Sequence, residues 1–320
     1  MLTLNALGES QIEQTPVICV VGPTASGKSD LAQNIAQAID GEVVSADSMQ
    51  IYKGMDIGTG KLLPSERLVP HFGLDLINPG EPYSAALFQD YARSCFEDIW
   101  SRGKRVVLCG GTGLYVRAAI DAYDFPKGEQ VNNPTRDKYT RYAEEHGADA
   151  LWELLRERDP ESALVLHPNN VRRVVRAFEM LEDEGTNYAT QLKNLAQLEQ
   201  EIPAIFLGLQ VEPDSLRERI NRRVDEMVAQ GLVKEVKDLL NSGFREGVTA
   251  PQAIGYKEIV AALDENCSMA EAIEEIKTST RRYAKRQRTW FRKDTRIHWL
   301  DANDDMRHRL LDSALNYIKD

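Results

Sequence analysis

The chain has 320 residues, 42% of them hydrophobic, which is enough for one substantial core and a smaller second one, so we expect about two domains. Its formal net charge of −11 argues against a protein that coats nucleic acid indiscriminately. No apolar run approaches the roughly 18 residues of a membrane span, and residues 1–14 lack a basic and then apolar signal pattern, so we expect a cytoplasmic protein.

Strands alternate with helices in the first part of the chain. Residues 16–21 form an apolar run typical of a buried strand, a glycine-rich turn follows, and residues 28–38 have helical spacing. Strand patterns at 42–45 and 105–109 and a helical pattern at 84–102 continue the alternation. This order predicts an α/β fold, in which helices cover both faces of a parallel sheet.

Residues 126–200 have a different pattern, with charged helical stretches at 148–158 and 170–184 and no convincing strand. A buried strand pattern resumes at 204–209. We therefore predict a discontinuous P-loop NTPase-like core and an all-helical insertion domain. The predicted core is 1–125 and 201–320, with later helices at 215–229, 232–241, 256–263 and 269–293 and a last strand at 297–300.

A phosphate-binding motif follows the first predicted strand. The chain there matches G-x-x-x-x-G-K-[ST] between a strand and a helix, which is the context that the motif requires. Its residues are Gly22, Pro23, Thr24, Ala25, Ser26, Gly27, Lys28 and Ser29. Backbone N–H groups at the helix N-terminus favour an anion, Lys28 adds positive charge and the Ser29 hydroxyl can bind Mg²⁺. A purely structural glycine turn is the alternative.

The motif leaves the identity of the phosphorylated ligand open, because most P-loop proteins are nucleotide kinases or nucleoside triphosphatases. A triphosphatase usually carries an acidic residue at the end of an apolar strand to organise magnesium. Here the strand at 105–109 ends in Gly110 and Gly111, with Asp47 and Asp75 as substitutes.

Two polar residues follow predicted strands. Asp47 comes after the strand at 42–45 and Thr112 after the strand at 105–109, and the carboxyl ends of parallel strands face the ligand crevice. The residues alone leave three interpretations of Asp47 open: a general base, a magnesium ligand through water, or the cap of a helix that begins near Ser48. Thr112 can donate a hydrogen bond to a substrate, whereas a tight turn alone would explain the glycines beside it.

Two groups of basic residues are candidates for binding anions. Residues 281–296 contain eight Lys or Arg and one Asp, and this uncompensated charge favours nucleic acid over an ordinary solvated face. The positions at i, i+4, i+7 and i+11 form one basic helix face and are Arg281, Lys285, Arg288 and Arg292. On an earlier helix, Arg219 and Arg223 share a face and could reach an anionic leaving group, although surface ion pairing is the simpler reading.

The aromatic residues of segment 281–296 and the cysteines are interpreted as structural. Tyr283, Trp290 and Phe291 fit packing better than base stacking. The four cysteines are far apart and show neither zinc-site nor disulfide spacing, so we expect reduced thiols, with Cys19 and Cys109 buried in strands.

Several further motifs occur in order along the chain. Residues 45–59 read SADSMQIYKGMDIGT, 110–115 read GGTGLY, 253–257 read AIGYK and 284–292 read AKRQRTWFR. Together with the P-loop, these motifs make the chain resemble the tRNA dimethylallyltransferase family, also called the tRNA isopentenyltransferases. The resemblance covers nearly the whole chain. The sequence shows no zinc-finger tail of the kind that some eukaryotic members have, so it resembles the bacterial type.

The resemblance implies a reaction. Such enzymes transfer a dimethylallyl group from dimethylallyl diphosphate to N6 of the adenosine 3′-adjacent to the anticodon, position 37, and release pyrophosphate. The P-loop would then bind the prenyl diphosphate instead of ATP, with Mg²⁺ on Ser29. Asp47 becomes the general base for the N6 amine and Thr112 positions that amine. Lys28 and either Arg219 or Arg223 would neutralise charge on pyrophosphate.

The resemblance also implies that the protein has a tRNA-binding surface. We expect no membrane partner, and we expect a monomer. The adenosine must leave the anticodon-loop stack to enter the crevice, and the insertion at 126–200 would grip the anticodon stem. The residues assigned to tRNA are Asp47, Ser48, Met49, Gln50, Thr112, Arg172, Arg173, Val174, Val175, Arg176, Lys285, Arg286, Arg288 and Arg292.

Overall fold

A computed structural model of the chain describes residues 3–4, 10–11, 15–125, 133–303 and 306–319. The chain divides into two compact units. The core unit comprises Met1–Ile120 and Glu201–Asp320, and the insertion unit is Asp121–Gln200. The insertion thus starts five residues before residue 126, the boundary placed from the sequence, and residue 126 itself lies outside the described residues.

The core unit contains a six-stranded parallel sheet. A separate antiparallel pair is formed by β1 (Thr3–Leu4) and β2 (Ser10–Gln11). The strands of the main sheet are β3 (Val17–Val21), β4 (Gly41–Ser45), β5 (His71–Phe72), β6 (Arg105–Gly110), β7 (Ala204–Gln210) and β8 (Ile297–Asp301). Their order is β5-β4-β6-β3-β7-β8, and every neighbouring pair is parallel. The predicted α/β class with a parallel sheet is confirmed.

The helices follow the predicted patterns closely. In chain order they are α1 (Lys28–Ala38), α2 (Ala85–Ser101), α3 (Gly113–Ile120), α4 (Pro134–His146), α5 (Ala148–Arg158), α6 (Pro160–Val165), α7 (Val171–Asp183), α8 (Tyr188–Ala196), α9 (Pro213–Gln230), α10 (Leu232–Leu240), α11 (Tyr256–Leu263), α12 (Met269–Phe291) and α13 (Leu310–Lys319). Short 3₁₀ turns occur at Pro64–Glu66, Phe244–Glu246, Ala250–Gln252 and Arg307–Arg309. The helices α4 to α8 belong to the insertion unit.

Alternating side chains of the central strand β3 pack on opposite faces of the sheet. Cys19 belongs to the cluster packed against α2 and α3, whereas Ile18 and Val20 belong to the cluster packed against α1 and α13. Cys19 and Cys109 are both buried, as predicted, and burial raises the pKa of the Cys109 thiol to about 11. This thiol is therefore protonated near neutral pH, which fits a structural residue.

The insertion unit has its own apolar core. Tyr139 of α4 stacks on Phe178 of α7, with ring centroids 3.8 Å apart. Leu151 and Leu155 of α5 are fully buried in the same cluster. Among the described residues of the whole chain, no helix is long and apolar enough to cross a membrane.

Register aligns the carboxyl ends of the central strands. Val21 pairs with Gly110 on one side and with Gly208 on the other, and Ser45 pairs with Cys109. The segments that leave β3, β4 and β6 therefore emerge at one edge of the sheet. They carry the P-loop, Asp47 and Thr112, so the sheet itself brings the three predicted motifs together.

Candidate active site

The P-loop presents an open helix N-terminus. Gly27 has φ +89° and is the N-cap residue of α1, where a glycine has no side chain to bond the first N–H groups. The first N–H groups of α1 and the positive end of its dipole thus remain available to an anion. This geometry is what the sequence motif requires.

Lys28 of the P-loop and Arg223 of α9 line a common cavity beside this N-terminus. Three further basic side chains line it, and they are Lys257, Arg282 and Arg286. Burial lowers the pKa of Lys28, and the charge of Arg223 lowers it further, while attraction to Asp47 offsets only part of the effect. Burial likewise lowers the pKa of Arg223. Two partly desolvated cations that repel each other make a site that an anion stabilises.

Asp47 lies across this cavity on the turn that leaves β4. Its Oδ1 accepts a hydrogen bond from the backbone N–H of Met49 at 2.9 Å. The structure has turns at residues 48–51 and no helix there, so the reading of Asp47 as a helix cap is wrong. The carboxylate faces both described cavities, which leaves the base and magnesium readings.

Thr112 lies directly behind that turn. Its Oγ1 accepts a hydrogen bond from the backbone N–H of Ser48 at 3.1 Å and donates one to the Ser48 hydroxyl at 3.2 Å. The lining of the main cavity includes Asp47 and Ser48 but not Thr112. Thr112 is therefore tied to the Asp47 turn by hydrogen bonds and lies one residue back from the open space.

The main cavity, which has a volume of about 450 Å³, combines a charged end with an apolar wall. Lys28, Asp47 and Arg223 lie at the charged end. The apolar wall comes from α9 to α12 and the segment before α11, and includes Ile220, Val224, Leu232, Ala253, Ile254 and Ile276. A ligand that has an anionic head and a short hydrocarbon tail fits such a surface.

A smaller cavity of about 50 Å³ shares Lys28 with the main one. Ser29, Asp47 and Gln50 line it. The described residues contain no cluster of three His, Cys, Asp or Glu side chains that could hold a metal by themselves. Mg²⁺ commonly takes one or two protein oxygens together with waters and phosphate oxygens, and the Ser29 hydroxyl and Asp47 carboxylate fit that donor set.

Gln287 of α12 joins two of the motifs and was missed as a site residue in the sequence analysis. Its Oε1 accepts from the backbone N–H of Thr24 at 2.9 Å, and its Nε2 donates to the Gly111 carbonyl at 3.0 Å. The side chain lies on the buried stripe of the helix with Ala284 and Phe291. A polar residue on a buried helix face was the available signal, because such a group needs hydrogen-bond partners.

Tyr283, interpreted as a packing residue, also lines the main cavity. Burial raises the pKa of its hydroxyl to about 12, and Thr112 and Gln287 are its hydrogen-bonding neighbours. Of the other two aromatics, Phe291 is buried and Trp290 is 44% exposed. The indole of Trp290 lies against Gly113, where an added Cβ would come within 2.0 Å of it.

We expect Gln287→Glu to lower kcat by about 10-fold, equivalent to about 1.4 kcal/mol. The new carboxylate still accepts from Thr24 but cannot donate to the Gly111 carbonyl, so the loop that carries Thr112 loses its tie to the P-loop. Steady-state kinetics measures the effect, with Gln252→Glu as a control that adds the same charge to the cavity lining. Equal losses in both variants would show that charge, and not the bridge, matters.

The structure separates the two candidate arginines of α9. Arg223 lines both cavities. Arg219 is buried, and its Nη2 donates to the carbonyl of Ala302 at 2.8 Å, just after β8. The predicted diphosphate contact of Arg219 is therefore corrected: its guanidinium is bound to the end of β8, and Arg223 is the arginine at the cavity.

The residues assigned to tRNA fall into several environments. Met49 lines the main cavity, while Gln50 is hydrogen bonded within the protein to Ser45, Thr59 and Gly60. Lys285 and Arg286 of α12 are exposed, and so is Arg292, the residue after its end. Arg281, the first member of the predicted basic stripe, donates to Asn221 of α9 and so leaves that stripe. The cavity side of α12 carries Arg282 and Arg286 in its place.

In the insertion unit, the five assigned residues lie at the start of α7. Arg172 and Arg173 are exposed, whereas Arg176 is paired with Glu179 and Glu184. Val174 and Val175 are buried in the core of the unit, so side-chain contact with tRNA is excluded for these two valines.

These features define a class of protein. A P-loop follows a central strand of a parallel sheet, two cations and one carboxylate meet at its helix N-terminus, and an apolar wall continues the cavity. This is a P-loop-like α/β protein whose cavity suits a phosphorylated ligand that has a hydrocarbon part.

Comparison with known proteins gives the family. The IPP transferase family model matches residues 50–294, and the isopentenyl transferase model matches residues 15–68. A tRNA dimethylallyltransferase of Carboxydothermus hydrogenoformans is 44% identical over 300 residues, 93% of this chain and 96% of its own length, and that of Bacillus subtilis is 43% identical over 288 residues, 89% and 90%. The chain therefore belongs to the tRNA dimethylallyltransferase family of prenyltransferases.

Solved structures agree with this assignment. The full-length tRNA isopentenylpyrophosphate transferase of Bacillus halodurans aligns with a TM-score of 0.69 at 40% identity, covering 95% of each chain. A eukaryotic dimethylallyltransferase described as acting on tRNA aligns with a TM-score of 0.74 at 31% identity, covering 94% of this chain and 77% of its own.

Proposed function

We propose that this protein transfers a dimethylallyl group from dimethylallyl diphosphate to N6 of the adenosine 3′-adjacent to the anticodon of tRNA, position 37. The products are N6-isopentenyladenosine and pyrophosphate. The observation that carries the proposal is the main cavity, where Lys28 and Arg223 face Asp47 and an apolar wall continues from them. The names of the relatives, which are tRNA dimethylallyltransferases, support the same reaction.

The cavity suggests how the reaction proceeds. The P-loop N–H groups, Lys28 and Arg223 hold the diphosphate, while the dimethylallyl tail lies on the apolar wall. The N6 amine forms a bond to the allylic carbon as the carbon–oxygen bond breaks, and the electron pair leaves with pyrophosphate. Asp47 takes the proton from N6, and Thr112 positions that base indirectly, through its hydrogen bonds to Ser48 on the same turn. Holding the weakly nucleophilic amine in line supplies much of the acceleration.

Magnesium is part of the proposal. Ser29 would hold the ion through its hydroxyl. When bound, Mg²⁺ stabilises negative charge on the leaving pyrophosphate. Lys28 and Arg223 serve the same purpose from the protein side, so the developing charge meets fixed positive groups.

We further propose that tRNA contacts α12 and the insertion unit. Positive charge is exposed along the end of α12 and just after it, by Lys285, Arg286 and Arg292. In the insertion unit, Arg172 and Arg173 are exposed. The proposed partner of the insertion is the anticodon stem, whose phosphates would face these arginines. The same proposal includes that this enzyme is a monomer and is located in the cytoplasm.

Incubation of the purified protein with unmodified tRNA, magnesium and either dimethylallyl diphosphate or ATP tests the function. Nucleoside mass analysis should show a dimethylallyl increment on adenosine only with the prenyl donor. Consumption of ATP without prenyl product across several tRNAs would indicate that the protein is a kinase or an ATPase. Turnover of AMP comparable to that of tRNA would indicate a prenyltransferase of free nucleotides.

The double variant Arg288→Gln, Arg292→Gln should weaken tRNA binding and flatten its salt dependence. If both side chains contact phosphates, the slope of log K against log salt falls by about 1 to 2. Titration of labelled tRNA over a range of salt concentrations measures it. Arg217→Gln with Arg222→Gln is the matched control, because these exposed arginines of α9 have acidic neighbours on their own helix. An unchanged slope would place the end of α12 away from RNA.

A further inference from the structure

The segment between β4 and β5 contains a loop, residues 56–60, that forms part of both cavities. Gly58 and Thr59 line the main cavity, and Thr59 and Gly60 line the smaller one. The loop has no regular secondary structure beyond turns. Its position at the candidate site therefore depends on side chains from other elements.

Glu235 of α10 anchors this loop. Its carboxylate accepts hydrogen bonds from the backbone N–H groups of Asp56 at 3.1 Å, Ile57 at 2.7 Å and Gly58 at 3.1 Å. It also accepts one from the hydroxyl of Tyr256 at 2.6 Å. One carboxylate thus receives four hydrogen bonds, three of which fix consecutive backbone groups of the loop. Hydrogen bonds to an ionised acceptor are about twice as strong as those between neutral groups.

The other side of the loop is held independently. Gln50 donates through Nε2 to the carbonyls of Thr59 at 3.2 Å and Gly60 at 3.4 Å. Lys61 donates to the carboxylate of Asp56 at 2.8 Å. The loop is therefore held from two directions, and the Glu235 side is the one that comes from α10.

The loop in turn supports Arg223. Gly60 has φ +63°, and an added Cβ there would come within 1.8 Å of Arg223 Nη2. The guanidinium thus lies directly on the Cα of Gly60, and only glycine leaves room for it with this backbone conformation. In the same way the ring of Tyr256 lies on Gly58, where a Cβ would come within 2.5 Å. A shift of the loop displaces the arginine that faces the candidate diphosphate site.

We propose that Glu235 is a positioning residue for the diphosphate subsite, acting through loop 56–60 on Arg223. The inference rests on the proposed function for the identity of the anion, a diphosphate. Glu235 itself does not line the described cavities, so its effect must pass through the loop. Replacing the carboxylate with an amide leaves one oxygen to accept and turns an NH₂ group toward backbone N–H donors.

A double-mutant cycle tests the inference, using Glu235→Gln, Arg223→Gln and the combination. The readout is the dissociation constant of inorganic pyrophosphate, measured by calorimetry. We expect Glu235→Gln alone to weaken pyrophosphate binding about 10-fold and to add almost nothing in the Arg223→Gln background. Such non-additivity shows that the two residues act through one contact, whereas effects of unrelated sites add. The affinity for tRNA should change less than twofold.

Asp238→Asn is the matched control, because it removes a carboxylate from the same helix where Asp238 pairs only with an exposed neighbour, Lys234. Tyr256→Phe removes one of the four hydrogen bonds and should weaken pyrophosphate binding in the same direction by a smaller factor. If Glu235→Gln does not fold, the pyrophosphate affinity of Tyr256→Phe provides the test. Additive effects in the cycle, or equal loss of pyrophosphate and tRNA binding, would overturn the positioning role.

The proposed function and this inference fail separately. Wild-type protein that binds pyrophosphate but makes no prenylated adenosine refutes the proposed function, while the cycle remains readable from calorimetry. Wild-type protein that prenylates tRNA, with additive variants, refutes only the role of Glu235.

Discussion

Asp47→Asn and Asp47→Ala should each lower single-turnover prenyl transfer by about two to four orders of magnitude, as loss of a positioned base often does. Asparagine can keep the hydrogen bond that Asp47 Oδ1 accepts from Met49, so it preserves the turn while removing the proton acceptor. Alanine removes both. Quenched-flow measurement at saturating tRNA and dimethylallyl diphosphate separates this chemical step from binding.

The two variants have different expected effects on binding. Asp47→Asn should keep the wild-type affinity for tRNA, and Asp47→Ala should lose some of it if the turn at 48–51 contacts RNA. Loss of transfer with tRNA binding retained excludes a noncatalytic tRNA-binding protein. Near-normal transfer in Asp47→Asn would refute the role of Asp47 as the base. A loss of transfer that recovers at raised magnesium concentration would instead favour the magnesium reading of Asp47.

The sequence predicted most of the fold because its signals are local. Residues 28–38 and 148–158 were assigned as helices within the bounds the structure shows, since apolar spacing and glycine turns mark such elements directly. The order of motifs after strands also predicted the cavity edge, because a parallel sheet aligns the carboxyl ends of its strands. Strand β5 has two residues and no apolar run, so no periodicity could reveal it.

Contacts between distant elements were not predictable in the same way. Arg219 and Arg223 share a helix face, and only the packing of α9 decides that one reaches Ala302 and the other Gly60. Gln287 accepts its hydrogen bond from Thr24, which is 263 positions away in the sequence. By its spacing Arg281 belongs to the predicted basic stripe, but in the structure it donates a hydrogen bond to Asn221. Charge and spacing give candidates, whereas the orientation of each helix selects among them.

Lys28→Met should weaken binding of pyrophosphate by about 10- to 150-fold, since a hydrogen bond to a charged partner contributes about 1.5 to 3 kcal/mol. In the absence of ligand the same change should raise the melting temperature near pH 7. Burial lowers the pKa of Lys28, so the folded protein holds that proton less tightly than the unfolded chain does. The buried charge of Lys28 therefore destabilises the ligand-free protein, and a bound anion offsets this cost.

The sign of the pH dependence follows from linkage. The penalty from Lys28 is fully present below its lowered folded-state pKa and is relieved as pH rises through that pKa toward 10.5, the ordinary value for lysine. Stability of ligand-free wild-type protein relative to Lys28→Met should therefore improve as pH rises through that range. Thermal melts with and without pyrophosphate measure both effects, and Lys237→Met, which removes an exposed lysine, is the control.

Pyrophosphate should reverse the order of stability of the two proteins. It stabilises whichever form binds it more tightly, so wild-type protein should gain more in melting temperature than Lys28→Met at the same concentration. A variant that melts lower than wild type without ligand at every pH would mean that packing of the lysine stem outweighs its buried charge. Unchanged pyrophosphate affinity in Lys28→Met would place the diphosphate elsewhere than the P-loop, and the proposed orientation of the prenyl donor would fall with it.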